Sequence, residues 1–199
     1  MHERRGHART IDPDFLLNAY RQGFFPMADA RTGEIHWYSP DPRGIIPLDE
    51  FRVSRSLGQT IRKKTFDVRV DTSFQTVMEQ CSERPETWIS EMIKRSYLNL
   101  NELGFAHCVE SWHAGELVGG LYGVAIGGAF FGESMFSTMR DASKVSLAFL
   151  VNRLKERNFV LLDTQFLTPH LQSLGAREIP RPEYLQRLQG ALAMSCTFQ

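Results

Sequence analysis

Apolar positions along the chain alternate between a helical and a two-residue period, and the switches mark out its elements. Asp12 as N-cap, Pro13 at the first helical position and Gly23 just past the end bracket an apolar stripe of Phe15, Leu16, Ala19 and Tyr20, which predicts a short helix. From Phe24 to Leu48 the prolines Pro26, Pro40, Pro42 and Pro47 forbid a long helix, while Phe24, Phe25, Trp37, Tyr38, Ile45 and Ile46 are too apolar for a free linker. The expectation there is an irregular, packed segment that lines a site. Phe66 to Val70 alternates as a half-buried strand does, and Ser73 then caps a helix bearing Phe74, Val77, Met78 and Cys81 at helical spacing. A second stripe, Ile89, Met92, Ile93, Tyr97 and Leu100, ends at Leu103-Gly104, where Gly104 suits a left-handed C-terminal position.

Three extended runs follow: Phe105 to Trp112, Leu117 to Ile126 after a turn at His113 to Glu116, and Ala129 to Phe131 after Gly127-Gly128. They read as an antiparallel meander. Asp141 or Ser143 opens a helix with Val145, Leu147, Ala148, Leu150, Val151 and Leu154 inside, and Phe159 to Leu162 is a short apolar strand. The tail adds a helical turn at His170 to Leu174, an extended piece at Ala176 to Ile179 and a last helix from Pro182. The fold class expected is α/β (α+β). From Phe66 onward the order of elements resembles the acyltransferase fold of the N-acetyltransferase superfamily, a mixed, largely antiparallel sheet flanked by helices. Residues 1–64 would form a small N-terminal subdomain and residues 65–199 the catalytic domain. Fold alone leaves the substrate open.

Composition narrows the classes. A chain of 199 residues with 42% hydrophobic content can bury a full core. Its longest apolar stretch, around Val118 to Phe131, is broken by glycines and falls short of the roughly 18 apolar residues of a membrane span. Met1 to Thr10 is rich in Arg and His with no apolar run behind it, so it reads as a short disordered arm and not a secretory signal. Cys81, Cys108 and Cys196 stand at unrelated spacings, which favours a reducing cytoplasm. A formal charge of zero argues against a protein that coats nucleic acid, yet Arg52, Arg55, Arg62, Lys63 and Lys64 gather with no acid between them. Such a run is either a solvated helix face or a phosphate grip.

Two segments bear chemistry. Glu133 follows the glycine-aromatic run Gly127 to Gly132, and a carboxylate at the end of such a strand must meet a cation, act on a proton or stay on a solvated rim. Asp163 and Gln165 sit two apart at a strand end, so continued extended geometry would put both side chains on one face with Thr164 turned away. A carboxylate and an amide there can take a proton and hold a carbonyl or amine, which suits attack by an amine on an activated acyl group. The six histidines form no metal-ligand pattern, and His107 reads as structural. GxSxG, P-loop and Rossmann fingerprints are absent. The nearest candidates for an acetyl-CoA pyrophosphate loop, Gln172 to Arg177 and Arg187 to Leu192, end on the wrong residues, so a donor other than acyl-CoA is favoured, and the basic stretch suggests one that carries phosphates.

As a set, the residues resemble the bacterial leucyl/phenylalanyl-tRNA–protein transferases over nearly the whole chain. The carriers include Gly23 to Met27, Trp37 to Gly44, Ser54 to Leu57, Thr87-Trp88-Ile89, Glu102 to His107, Leu117 to Val124, Gly132 to Ser137, Ala142-Ser143-Lys144, Leu162 to Gln165, and His170-Leu171 with Ser173 to Ala176. Met27 stands where some members have Trp, and Trp37-Tyr38-Ser39-Pro40 where some have Trp-Trp-Ser-Pro; the extra leading segment of the longer members is missing. The resemblance implies a cytoplasmic aminoacyltransferase that moves Leu, Phe or Met from its aminoacyl-tRNA to proteins or peptides with an N-terminal Lys or Arg, marking them for the N-degron pathway. It implies no cofactor and no metal, and the enzyme is expected to be a monomer away from membranes. Asp163 and Gln165 look like the catalytic pair and Glu133 like their partner. Met27, Trp88, Leu121, Phe130, Leu147, Leu150 and Leu162 would form the pocket for the donor side chain, and Arg52, Arg55, Arg62, Lys63 and Lys64 the tRNA contact. A CoA-dependent N-acyltransferase and a non-catalytic tRNA-binding adaptor are the alternatives.

Overall fold

The computed structural model describes residues 10–199. The arm expected at Met1 to Thr10 therefore lies outside the described residues, Thr10 excepted. Helix α1 spans Pro13–Arg21, and Asp12 Oδ1 accepts the Phe15 N–H at 2.9 Å, satisfying one of the donors a helix start leaves free. Its buried face is Leu16, Leu17 and Tyr20, whereas Phe15 is 57% exposed and meets Trp37 edge-on at the surface. The stripe is thus rotated from the predicted one.

The segment predicted to be irregular holds three short strands instead: β1 (Phe25–Ala28) and β2 (Ile35–Tyr38), which pair with each other, and β3 (Arg43–Ile46), which enters the main sheet. The prolines conceal them. Pro26 lies inside a two-stranded ribbon, where a missing N–H costs little, and Pro42 and Pro47 flank β3 without interrupting it.

After these come α2 (Arg55–Arg62), β4 (Asp67–Val70), α3 (Phe74–Ser82), α4 (Glu91–Glu102), β5 (Ala106–His113), β6 (Glu116–Ile126) and β7 (Ala129–Ser137). The chain continues through α5 (Ala142–Glu156), β8 (Leu161–Gln165), α6 (Pro169–Ser173), β9 (Arg177–Ile179) and α7 (Arg181–Leu192). The seven-stranded sheet runs β4-β5-β6-β7-β8-β3-β9, with β7 and β8 parallel and every other neighbour antiparallel. This is the α/β arrangement expected, a mixed, largely antiparallel sheet flanked by helices. Strand β7 continues to Ser137 and so carries the whole Gly132 to Ser137 motif, while β8 begins later than expected and runs on through Gln165. Ser73 heads α3 but makes no side-chain cap. The Glu110 carboxylate instead fixes the approach to the helix, accepting the N–H groups of Thr72 and Ser73 at 2.7 and 2.8 Å.

One core, containing Leu16, Tyr20, Val77, Ile93, Tyr97 and Phe131, joins the sheet to α1, α3 and α4. A second, containing Leu121, Phe130, Leu147, Leu150 and Leu162, joins it to α5. Each fully buried side chain of this size contributes about 1.5–3 kcal/mol. Phe198 closes the second core: it is 2% exposed, its ring lies 4.4 Å from that of His107 and 5.3 Å from that of Phe130, and Arg153 Nε donates to its carbonyl at 2.8 Å. Among the described residues no helix is long and apolar enough to cross a membrane.

Candidate active site

Both chemistry-bearing motifs sit on bulges. Tyr122 opposes Ser134 and Gly123 opposes Gly132, so Glu133 is the extra residue of β7. Gly44 opposes Gln165 and Ile45 opposes Asp163, so Thr164 is the extra residue of β8. A bulge re-aims the side chains around it. Gln165 has φ +65°, a left-handed conformation, so the extended geometry that would have carried Asp163 and Gln165 on one face stops there. Gly44 makes the second bulge possible: a Cβ on it would come within 2.8 Å of the Phe166 carbonyl carbon and 2.9 Å of Thr164 Oγ1. The parallel register between β7 and β8 ends at Phe131 and Asp163. Past that point the Gln165 side chain spans the two strands, Nε2 donating to Glu133 Oε1 at 2.8 Å.

Asp163 is fully buried, and four donors fill it. Arg43 Nε and the Gln165 N–H donate to Oδ1 at 2.9 and 2.8 Å, and Arg43 Nη2 and the Tyr184 hydroxyl to Oδ2 at 2.6 and 2.7 Å. Two carboxylate oxygens offer about four acceptor positions, so none is left for a substrate proton. Arg43 lies between the rings of Phe25 and Tyr184, 4.7 and 4.5 Å from their centroids, and also donates from Nη1 to the Gly23 carbonyl at 2.9 Å. Burial pushes the Tyr184 phenol up, so it stays a donor. Asp163 thus holds the backbone of Gln165 and does not reach its side chain.

Glu133 is buried, not on a rim, and its hydrogen-bond donors are neutral: the Tyr20 hydroxyl at 2.6 Å, the Tyr97 hydroxyl at 3.2 Å and the Gln165 amide. The two phenols also contact each other. Burial pushes the Glu133 carboxyl up to about 8; the hydrogen bond from Tyr20 opposes this and the Asp163 charge adds to it.

Beside this cluster opens a pocket of about 270 Å³. Met27, Trp88, Leu121, Leu147, Leu150 and Leu162 line it, as the sequence suggested, together with Glu133 and Gln165. Phe130 does not line it. Its ring is fully buried one layer behind, in the same core as Leu121, Leu150 and Leu162 and against Phe198. Arg84, Phe166, His170 and Leu171 line the pocket without having been anticipated, and Arg43, Tyr20, Tyr97 and Tyr184 complete the polar cluster behind it. Tyr20 and Tyr97 did stand out in apolar stripes, but periodicity reports burial and not what a hydroxyl meets. His107 lies elsewhere, Nδ1 within 2.7 Å of Asp71 Oδ2.

Arg52, Arg55, Arg62, Lys63 and Lys64 lie on and around α2, whose one buried residue is Leu57. All five are exposed, and among the described residues none forms an ion pair. They do not line the pocket.

The site sits on a mixed, largely antiparallel sheet flanked by helices, an α/β protein. Residues 45–189 match the family described as leucyl/phenylalanyl-tRNA protein transferase and residues 9–41 its N-terminal domain, so the chain belongs to that family of aminoacyltransferases. Relatives named leucyl/phenylalanyl-tRNA--protein transferase include one from Gloeobacter violaceus, 54% identical over 96% of this chain and 98% of its own length. Another, from Herpetosiphon aurantiacus, is 56% identical over 96% of this chain and 99% of its own. Among solved structures, the chain aligns with a GCN5-related glucosamine N-acetyltransferase region of a fungal β-N-acetylglucosaminidase at 9% identity and TM-score 0.48, over 90% of this chain and 24% of that one.

Proposed function

We propose that this protein transfers Leu, Phe or Met from aminoacyl-tRNA to the α-amine of proteins beginning with Lys or Arg, acting as a monomer in the cytoplasm and creating an N-degron. The observation that carries the reading is the apolar pocket meeting the Glu133–Gln165 pair at the splay of β7 and β8. Aliphatic, thioether and indole walls suit an uncharged donor side chain, and the amide at the end suits its reacting carbonyl and amine.

The aminoacyl ester is already activated, and an α-amine with an ordinary pKa of about 8 is partly neutral at physiological pH, so positioning supplies most of what is needed. The amine attacks the ester carbonyl, the C–N bond forms as the C–O bond to the ribose breaks, and the amine's proton ends on the ribose hydroxyl. One N–H of the Gln165 amide goes to Glu133, and the amide Oε1 is the acceptor that orients the amine. Asp163 acts by fixing the Gln165 backbone and Glu133 by holding the amide, and neither takes the amine's proton. The basic residues around α2 grip the tRNA through phosphates.

The test mixes Phe-charged tRNA with a peptide beginning in Arg and follows labelled Phe. Transfer is the expected result, and none by folded protein would sink the reading.

A further inference from the structure

The basic face of α2 and the pocket are separate places, and a charged tRNA would have to occupy both. The surface between them is therefore informative. A groove of about 280 Å³ runs along the flank of α2, with Gln59, Thr60 and Lys63 on one side and Arg140 and Asp141, at the head of α5, on the other. The Arg140 side chain is 87% exposed. One turn into α5, Lys144 Nζ lies 3.2 Å from Asp141 Oδ1 with its side chain 35% exposed. Its charge is felt by His170, a pocket-lining residue. At 1.5 Å per residue, Leu147 of the pocket wall stands only about 8 Å along the helix from Ala142. The groove thus ends at the head of the helix whose Leu147 and Leu150 line the pocket. Three cations, Lys63, Arg140 and Lys144, stand at the groove and this helix head beside the acid Asp141. Arg84, which also lines the pocket, is flanked in sequence by the exposed acids Glu83 and Glu86.

We propose that the single-stranded 3′ end of the charged tRNA crosses from α2 to the pocket over the N-terminal end of α5, with Arg140 and Lys144 holding its phosphates. This rests on the transfer reading above. Both side chains are long and partly solvated, and Asp141 holds each near the path without burying its charge: Arg140 Nε lies 3.7 Å from Asp141 Oδ2. They are positioning residues, since the reacting atoms lie further on, beside Gln165.

Two donors separate this proposal from the reading beneath it. 3′-Phenylalanyl-adenosine carries the reacting ester but no phosphate, and Phe-charged tRNA carries both. Wild-type protein that transfers from neither would overturn the transfer reading itself. Given transfer, the double variant Arg140→Ala/Lys144→Ala is expected to raise KM for charged tRNA about tenfold and to flatten its log–log salt dependence by about 1.4, the loss of two single-strand phosphate contacts. With phenylalanyl-adenosine, kcat and KM should stay within about twofold. Equal loss on both donors would assign the pair a structural role, and unchanged tRNA KM and salt slope would send the 3′ end elsewhere; either result overturns the proposal. Arg140→Ala alone, at a side chain largely in solvent, is expected to show a smaller effect of the same sign with an unchanged melting temperature.

Discussion

Two carboxylates sit on adjoining bulges of one sheet, and the chain satisfies them in opposite ways. Asp163 on β8 has a guanidinium gripping it with two nitrogens and is filled by charged and neutral donors. Glu133 on β7 has two phenols and an amide. Burial raises the Glu133 carboxyl to about 8, and no guanidinium grips it as Arg43 grips Asp163. The contrast shows that two buried carboxyls of one sheet can be given different kinds of partner. It also divides the labour: Asp163 anchors the Gln165 backbone, and Glu133 holds the amide that faces the pocket.

The comparison breaks most severely at Arg43. Arg43→Ala leaves Asp163 buried and unpaired, and a loss of about 3–5 kcal/mol in urea unfolding is expected, with transfer abolished. Arg43→Lys, which keeps the charge but not the two-pronged grip, should recover part of the stability. A loss within 1 kcal/mol for Arg43→Ala would mean that Asp163 is held by Tyr184 and the backbone alone.

Glu133 provides the next test. Its carboxyl is raised above its unfolded range, so the folded state binds the extra proton and stability should fall as pH rises from the ordinary carboxylate range to about 8. The slope should approach 1.4 kcal/mol per pH unit inside that window. Glu133→Gln removes the proton and should flatten this segment of the curve, as measured by denaturant midpoints across pH. A wild-type curve that rises through the window would show Glu133 ionised and erase the contrast.

The smallest effect is expected where neither condition holds. The Glu91–Lys94 pair on α4 is solvated on one side, and Lys94→Ala should change stability by under about 0.5 kcal/mol, against which the first two can be scaled.

Most of the fold was legible because its helices carry apolar stripes and its central meander is a set of apolar runs parted by glycine-bearing turns. The short strand β3 was not: Arg43 to Ile46 is buried on every residue and lies between prolines, so it shows no alternation to read. The motifs around Glu133 and Asp163 were visible, but their partners were not, since Arg43 stands 120 residues from Asp163 and Tyr20 stands 113 from Glu133. Phe130 was misplaced for a related reason. Apolar identity marks a core position without saying whether it faces a cavity or the layer behind one. The register shifts that aim Glu133 and Gln165 leave no compositional mark beyond a nearby glycine.

Strand β3 has a consequence for how the molecule assembles. It belongs to the first quarter of the chain, yet it fits between β8 and β9, which belong to the last. Until that insertion happens β8 lacks one neighbour, β9 lacks its only one, and Asp163 has no cation. Such distant pairings close late, because chain entropy must be spent before they reward it. Folding and arming of the site are thereby the same event, and a chain caught before it exposes two unpaired strand edges that invite aggregation or degradation.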